Sequence, residues 1–156
     1  MKHWFSTANV VVDGISLEKR HLVDPGLIET ARVGSTYSTA DYIRAQMARR
    51  ELGFRVNRFF QKYDLLLTPM LSVTAFGVGK VAPEPPGESA WVDWTPFSHP
   101  FNLSRNPAAS VPCGLADGLP VGLQIVGRHD EDAVVLRAAR AFERAQPWSL
   151  PPAATA

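Results

Sequence analysis

The stretch that decides the fold is NPAASVPCGLADGLPVGLQIVG, residues 106–127. Two apolar runs within it, Ala108 to Cys113 and Pro120 to Val126, have the length and composition of β-strands. Asp117 and Gly118 lie between the runs, and this pair is typical of a tight turn. The sequence therefore predicts two successive strands joined by a turn.

Helices are predicted on both sides of these strands. After them, Asp130 is placed to cap a helix over residues 131–145. Before them, Ser38 and Asp41 fit a capping box, and apolar residues recur at roughly helical spacing up to about residue 62. Because caps and periodicity are local signals, we expect both helices to form whatever surrounds them.

Weaker signals lie nearer the start of the chain. Asp24 followed by Pro25 marks a further helix start, with an acceptor at the cap and proline at the first helical position. Ser16 can cap a short helix over residues 17–22. Residues 10–12, three consecutive valines, fit a strand or a helix, and both alternatives stay open at this point.

The segment YDLLLTP, residues 63–69, changes the pattern. A short apolar run closed by proline is typical of a buried strand in a parallel or mixed sheet. The three leucines could equally end the preceding helix. Residues 71–96, rich in proline and glycine, predict a long loop, and loops of that length are usually functional or mobile.

Composition excludes several classes of protein. Hydrophobic residues make up 46% of the 156 residues and charged residues 20%, as in ordinary globular domains. The net charge of +1, without a basic block, argues against nucleic-acid binding. Cys113 is the one cysteine, so no internal disulfide can form. Without a signal-peptide pattern or a long apolar run, we expect a cytoplasmic protein that does not enter a membrane.

Three segments together resemble the end of the amidase-signature family. They are YDLLLTP at 63–69, TPFSHPFNL at 95–103 and the fold-deciding stretch at 106–127. The family includes acylamidases, fatty acid amide hydrolases and the amidotransferase subunit that charges tRNA. Because several segments agree in order and spacing, the resemblance is more specific than a single motif, and it covers the chain from about residue 40 onward.

The resemblance implies an α/β fold, namely the C-terminal part of the amidase-signature fold, with a mixed sheet flanked by helices and incomplete alone. Residues 1–37 would be an N-terminal helical segment, residues 38–150 the C-terminal part of the amidase domain, and residues 151–156 a disordered tail. Strands missing from the sheet would leave one edge and part of one face bare, so self-association is expected.

The resemblance also implies what the chain does not carry. Amidase-signature enzymes attack the amide with a serine, relay its proton through a second serine to a lysine, and bind the oxyanion with a Gly/Ser-rich loop. The family places these groups before the region matched here, and none of the four lysines has a matching context. We therefore assign no catalytic residue, no metal and no cofactor. The isolated chain is expected to be inactive without the N-terminal part of the amidase.

Four residues are expected near a small-molecule amide substrate: Thr68, Pro69, Thr95 and Phe97. Amidotransferase subunits carry an aspartate where Thr95 stands, which can hold the amino group of the substrate glutamine. A general amidase is therefore favoured over a protein like the amidotransferase subunit. The surrounding aromatic residues either favour an apolar acyl group or pack the loop onto the core: Trp91, Trp94, Phe97 and Phe101.

Two further alternatives remain open from the sequence. The chain could be a non-catalytic binding module, or a small hydrolase that uses Ser98, His99 and Asp93. Closeness in sequence does not support such a triad, because triads are assembled in space. Cys113, near a strand end among valine and proline, is more typical of a buried apolar residue than of a nucleophile.

Overall fold

Three strands form one sheet in the order β1-β3-β2. They are β1 (Leu65–Pro69), β2 (Ala108–Ala116) and β3 (Leu119–Gly127). Val126 of β3 lies opposite Leu66 of β1 on one side and Ala108 of β2 on the other, and both ladders are antiparallel. The predicted strands are confirmed. In the described residues the sheet has only antiparallel pairs, so any parallel pair of the expected mixed sheet would involve strands other than these three.

Helical segments precede and follow the strands. In chain order they are α1 (Lys2–Asp13), a 3₁₀ helix (Leu17–Leu22), α2 (Pro25–Gly34), α3 (Thr39–Phe60), α4 (His99–Ser104) and α5 (Asp132–Ala145). The α/β class is thereby confirmed. Across the described residues, no helix combines the length and the apolar composition that crossing a membrane requires.

This computed structural model describes residues 2–84 and 92–148. Trp91 and the tail at 151–156 lie outside the described residues. The chain divides into two compact units, Met1–Glu51 and Leu52–Ala156, with the division inside α3. The predicted boundaries at 37/38 and 150/151 concern a larger amidase domain and stay predictions.

The tight turn predicted between β2 and β3 is present. Asp117 and Gly118 have φ of 51° and 78°, the left-handed conformation that a two-residue hairpin turn requires at both positions. A bulge interrupts the ladder between Pro112 and Gly114, and Gly114 has φ of 134°. The hairpin is therefore fixed by local chemistry at its turn and bent at its bulge.

Two of the predicted helix caps form as expected. The Asp24 carboxylate accepts hydrogen bonds from the backbone N–H groups of Gly26 at 2.8 Å and Leu27 at 3.2 Å. At the start of α3 the capping box closes both ways: the N–H of Asp41 donates to the Ser38 hydroxyl, and the N–H of Ser38 donates to the Asp41 carboxylate.

Two other predicted caps are wrong. Ser16 precedes the 3₁₀ helix, but its side chain makes no capping hydrogen bond. Asp130 does not cap α5: the helix begins at Asp132, and Glu131 stands at its cap position. Asp130 has φ of 62° and lies in the turn before the helix. The valines at 10–12, open between strand and helix, lie in α1.

The first unit is held by close contact between α1 and α2. A Cβ atom placed on Gly34 would lie 1.9 Å from the carbonyl oxygen of Phe5, so only glycine permits this approach. Ala8 and Val12 of α1 are buried, as is Ala31 of α2.

The core of the second unit lies against one face of the sheet. Phe60 at the end of α3, Phe101 of α4 and Val126 of β3 form a buried cluster, and Leu66 of β1 packs against it. Arg128, just after β3, donates from Nε to the carbonyl oxygen of Phe60 at 2.7 Å. This contact satisfies one of the carbonyls that the end of α3 leaves without a helical partner.

The opposite face is covered by α5. Side chains alternate between faces along a strand, so Gly127 points away from the cluster around Val126. A Cβ atom on Gly127 would lie 2.6 Å from Cγ2 of Val135, a buried residue of α5. The C-terminal end of β3 is therefore covered on both faces, in agreement with its apolar sequence.

Candidate functional site

A buried glutamine joins two of the residues expected near the substrate. Gln124 of β3 is 2% exposed, and its Nε2 donates to Thr68 Oγ1 at 2.9 Å and to the carbonyl oxygen of Phe97 at 3.0 Å. Thr68 lies in β1, whereas Phe97 lies in the segment before α4. The two hydrogens of one amide group thus fasten that segment to the sheet.

Thr95 is held within its own segment. Its hydroxyl donates to the carbonyl oxygen of Val92 at 2.9 Å and shares a hydrogen bond with Nε2 of His99 at 2.9 Å. The carbonyl oxygen of Trp94, the preceding residue, accepts a hydrogen bond from the Ser72 hydroxyl at 3.0 Å. The segment is therefore tied to the loop after β1 as well as to β3.

An apolar cavity of about 630 Å³ opens beside the end of β1. Thr68 and Pro69 line it, together with residues of the following loop and of the hairpin: Leu67, Met70, Leu71, Val73, Ala75, Ser110, Cys113, Pro120, Val121, Gly122 and Leu123. None of these lining residues carries a charge. The cavity can therefore accept an apolar group of a small molecule, but it offers no ion-pair partner to a charged group.

The four predicted substrate residues divide into two pairs. Thr68 and Pro69 line the cavity, but Thr95 and Phe97 are not among its lining residues. Gln124 connects the pairs, and it is not among the residues that the sequence predicts for the site. The signal in the sequence that could have found it is a polar residue between apolar neighbours in a buried strand. Because buried amides are hydrogen-bonded in native proteins, such a residue indicates partners on adjacent segments.

The aromatic residues near the segment pack in different ways. Phe101 belongs to the buried core cluster, so its ring stabilises the fold. Trp94 meets Phe76 edge to face, with ring centroids 5.2 Å apart, and its buried Nε1 has no partner among the described residues. For Phe101 and Trp94 the structure thus matches the alternative in which aromatic rings pack the loop.

The Ser98 and His99 pair does not have the geometry of a nucleophile and its base. The Ser98 hydroxyl donates to the carbonyl oxygen of Thr95 at 3.2 Å, and the ring of His99 meets the Thr95 hydroxyl through Nε2. Cys113 is half-buried, and its Sγ lies 3.6 Å from the carbonyl oxygen of Val121, which it faces as a weak donor. In residues 2–84 and 92–148, no three His, Cys, Asp or Glu side chains come together to hold a metal ion.

Comparison with known proteins places these features in a family. The Amidase family model matches residues 8–136. An acylamidase of Rhodococcus erythropolis is 39% identical over 142 residues, which cover 84% of this chain and 28% of that protein. A subunit of the glutamyl-tRNA(Gln) amidotransferase of Geobacillus stearothermophilus is 39% identical over 124 residues, covering 76% of this chain and 24% of that protein.

A solved structure shows the same fold. A bacterial aryl acylamidase of the amidase-signature enzymes superposes with a TM-score of 0.76 at 30% identity, over 94% of this chain and 33% of that one. The chain thus spans about a quarter to a third of the length of the relatives it matches.

Proposed function

Because the chain belongs to the amidase-signature family, we propose that it acts as the C-terminal part of an amidase that hydrolyses carboxylic amides to an acid and ammonia or an amine. In this proposal it completes the sheet and forms a wall of the acyl pocket, while the rest of the enzyme supplies the Ser-Ser-Lys machinery. The observation that carries the proposal is the uncharged cavity lined by Thr68 and Pro69.

The chemistry assigned to this chain is binding and orientation. A serine attacking the amide carbon needs the acyl group held at a fixed distance and angle, and holding it lowers the entropic part of the barrier. An apolar cavity takes up the acyl group by burying its surface, at about 25 cal/mol per Å². Gln124 then holds the segment at residues 95–97 next to Thr68, which is the residue of the two that lines the cavity.

The uncharged site supports a general amidase over a glutamine amidotransferase. Recognition of glutamine's charged amino group calls for a carboxylate, and no acidic residue lines the cavity in the described part of the chain. Thr95 has no charge, and its hydroxyl is already engaged by Val92 and His99. We therefore propose an amide with an apolar acyl group as substrate.

The test is to complete the enzyme. The chain would replace the segment that it matches in the R. erythropolis acylamidase, and hydrolysis of aryl amides by the joined protein would be compared with that by the isolated chain. We expect turnover from the joined protein and none above a heat-treated control from the isolated chain. Turnover by the isolated chain that is lost in Ser98→Ala or His99→Ala would contradict the proposal and support a small independent hydrolase.

A further inference from the structure

We infer that Trp94 is a positioning residue of the candidate site, because it holds residues 71–76 beside the apolar cavity without lining the cavity itself. The inference rests on the proposed function and deepens it by naming a residue that controls how tightly the acyl group is bound. Three residues of this segment line the cavity, namely Leu71, Val73 and Ala75, whereas Trp94 does not. We call residues 71–76 the wall segment.

The wall segment has no regular secondary structure. β1 ends at Pro69, and residues 71–76 belong to neither a helix nor a strand. The last backbone bond to the sheet before them is that of Met70, whose N–H donates to the carbonyl oxygen of Gly122 at 2.9 Å. Because no ladder fixes the wall segment, its position depends on contacts with other parts of the chain.

Trp94 provides such contacts to residues that alternate with the lining residues. The Ser72 hydroxyl donates to the carbonyl oxygen of Trp94 at 3.0 Å, and the Ser72 N–H donates to the same oxygen at 3.5 Å. The ring of Phe76 meets the indole of Trp94 edge to face, with centroids 5.2 Å apart. The wall segment therefore lies between the cavity and Trp94, with lining residues and contacting residues in alternation.

Trp94 is itself fixed by its neighbours in the chain. The N–H and the hydroxyl of Thr95 both donate to the carbonyl oxygen of Val92, at 3.0 Å and 2.9 Å, and so close the turn that carries Trp94. Further along, the carbonyl oxygen of Phe97 accepts a hydrogen bond from the buried amide of Gln124 at 3.0 Å. A series of contacts thus runs from β3 through Trp94 to the wall segment.

The side chain of Trp94 acts through its ring and not through its polar group. Its Nε1 is buried and has no hydrogen-bond partner among the described residues. Because an unpaired buried donor is destabilising, packing must hold the indole in place against Phe76. A phenyl ring at this position would keep an aromatic contact without the unpaired donor. Trp94→Phe is therefore the conservative variant, and Trp94→Ala is the disruptive one.

The experiment uses the full 156-residue chain and the protein in which it is joined to the remainder of the R. erythropolis acylamidase. In the chain, backbone hydrogen exchange would be followed at residues 71–76. In the joined protein, kcat and KM would be measured with butyranilide, an aryl amide with an apolar acyl group. Ser72→Ala removes the hydroxyl that bonds to Trp94. Trp148→Ala is the matched control, since Trp148 is exposed and lines a different cavity, beside α5.

We expect Trp94→Ala to speed exchange at Ser72 and to raise KM about tenfold with little change in kcat, because the released wall segment binds the acyl group less well. Trp94→Phe should keep KM within about threefold of the unchanged protein, since it retains an aromatic contact. Ser72→Ala should raise KM about threefold, the effect of losing one neutral hydrogen bond. Trp148→Ala should change neither exchange at Ser72 nor KM.

A merely structural role for Trp94 predicts the opposite kinetic effect. Partial unfolding reduces the number of active molecules, so it lowers kcat and leaves KM unchanged. A loss of kcat at constant KM would therefore overturn the inference. Absence of protection at Ser72 in the unchanged chain, or equal effects of Trp94→Ala and Trp148→Ala, would also overturn it. If a thermal melt shows that Trp94→Ala does not fold, Ser72→Ala decides, since Ser72 is exposed.

The same samples separate this inference from the proposed function. If the joined protein hydrolyses no amide, the proposed activity is contradicted, and exchange at Ser72 in the chain alone decides whether Trp94 holds the wall segment. Hydrolysis with a KM that neither Trp94→Ala nor Ser72→Ala changes would support the proposed activity and contradict the role of Trp94.

Discussion

The two ends of β3 differ in how deeply their residues are buried. From Gln124 to Gly127 every residue is buried, whereas Leu119 and Pro120 are exposed and Val121 to Leu123 are half-buried. The buried end is fixed on one face by the cluster around Val126 and on the other by α5. The open end borders the apolar cavity. β3 is thus packed into the core at its C-terminal end and lines the cavity at its N-terminal end.

A second buried amide, that of Asn106, stabilises the buried end of β3. Asn106, before β2, donates from Nδ2 to the carbonyl oxygen of Gly127 at 2.8 Å and accepts from the Ser104 hydroxyl at 2.6 Å. Gln124 makes the comparable bonds toward Thr68 and Phe97. Asn106 therefore joins two segments of the core, those of Ser104 and Gly127. Gln124 instead joins β3 to two segments at the candidate site, those of Thr68 and Phe97.

The largest expected effect compares one residue type at both ends of β3. Val126→Ala should lower the free energy of unfolding by about 2 kcal/mol, because it removes buried methyl groups and leaves a cavity in the core. Val121→Ala, at the half-buried end, should cost less than about 1 kcal/mol. Urea unfolding followed by circular dichroism measures both, and equal losses would show that the two ends do not differ in stability.

The two buried amides provide the next comparison. Gln124→Met keeps the shape of the side chain but leaves the Phe97 carbonyl without its donor, at a cost of about 1–2 kcal/mol. Hydrogen exchange at residues 95–98 should become faster. Asn106→Leu should destabilise the chain by a similar amount without changing exchange in that segment. If both variants loosen residues 95–98 equally, Gln124 has no special role in holding them.

Local chemistry explains which parts of this fold the sequence predicts. The Asp24 cap, the Ser38 and Asp41 box and the turn at Asp117 and Gly118 each act within four residues, so a short pattern is sufficient. Gln124 could not be assigned in this way, because its partners Thr68 and Phe97 are 56 and 27 residues away in sequence. Which pair of the predicted substrate-contact residues lines the cavity also depends on how distant segments fold together.

The helical spacing of apolar residues also could not predict how exposed the apolar side chains of α3 are. Ile43, Met47 and Phe54 follow helical spacing, yet they are more than half exposed. A helical pattern predicts the face that is apolar, but it does not identify what covers that face. The exposed face is in keeping with a chain that matches only part of a longer fold.

The smallest expected effect concerns acid. Hydrogen bonds from Lys2 and then Ser38 hold the pKa of Asp41 below its usual range. A lowered folded-state pKa means that the stabilisation is present above the unfolded value of about 4 and is lost as the pH falls below it. The protection of backbone amides at the start of α3, meaning their exchange relative to the intrinsic rate at each pH, should therefore fall below about pH 4, and Asp41→Asn should abolish this dependence. The side-chain amides of Asn106 and Gln124 do not titrate, so β3 should keep its protection in this pH range. A similar loss of protection at β3 would show that Asp41 is not the cause of the loss at α3.

The proposed role of this chain as a wall of the acyl pocket is tested most directly by substrate selectivity in the joined enzyme. Val121→Phe places a larger side chain in the cavity, whereas Val111→Phe enlarges a residue of the separate cavity of about 300 Å³ beside α5. The ratio of kcat/KM for small and large acyl amides would be measured for both variants. We predict that Val121→Phe shifts the ratio at least tenfold toward small acyl groups, the effect of about 1.4 kcal/mol, and that Val111→Phe leaves it unchanged. An unchanged ratio in a folded, active Val121→Phe enzyme would show that this chain does not form the wall of the acyl pocket.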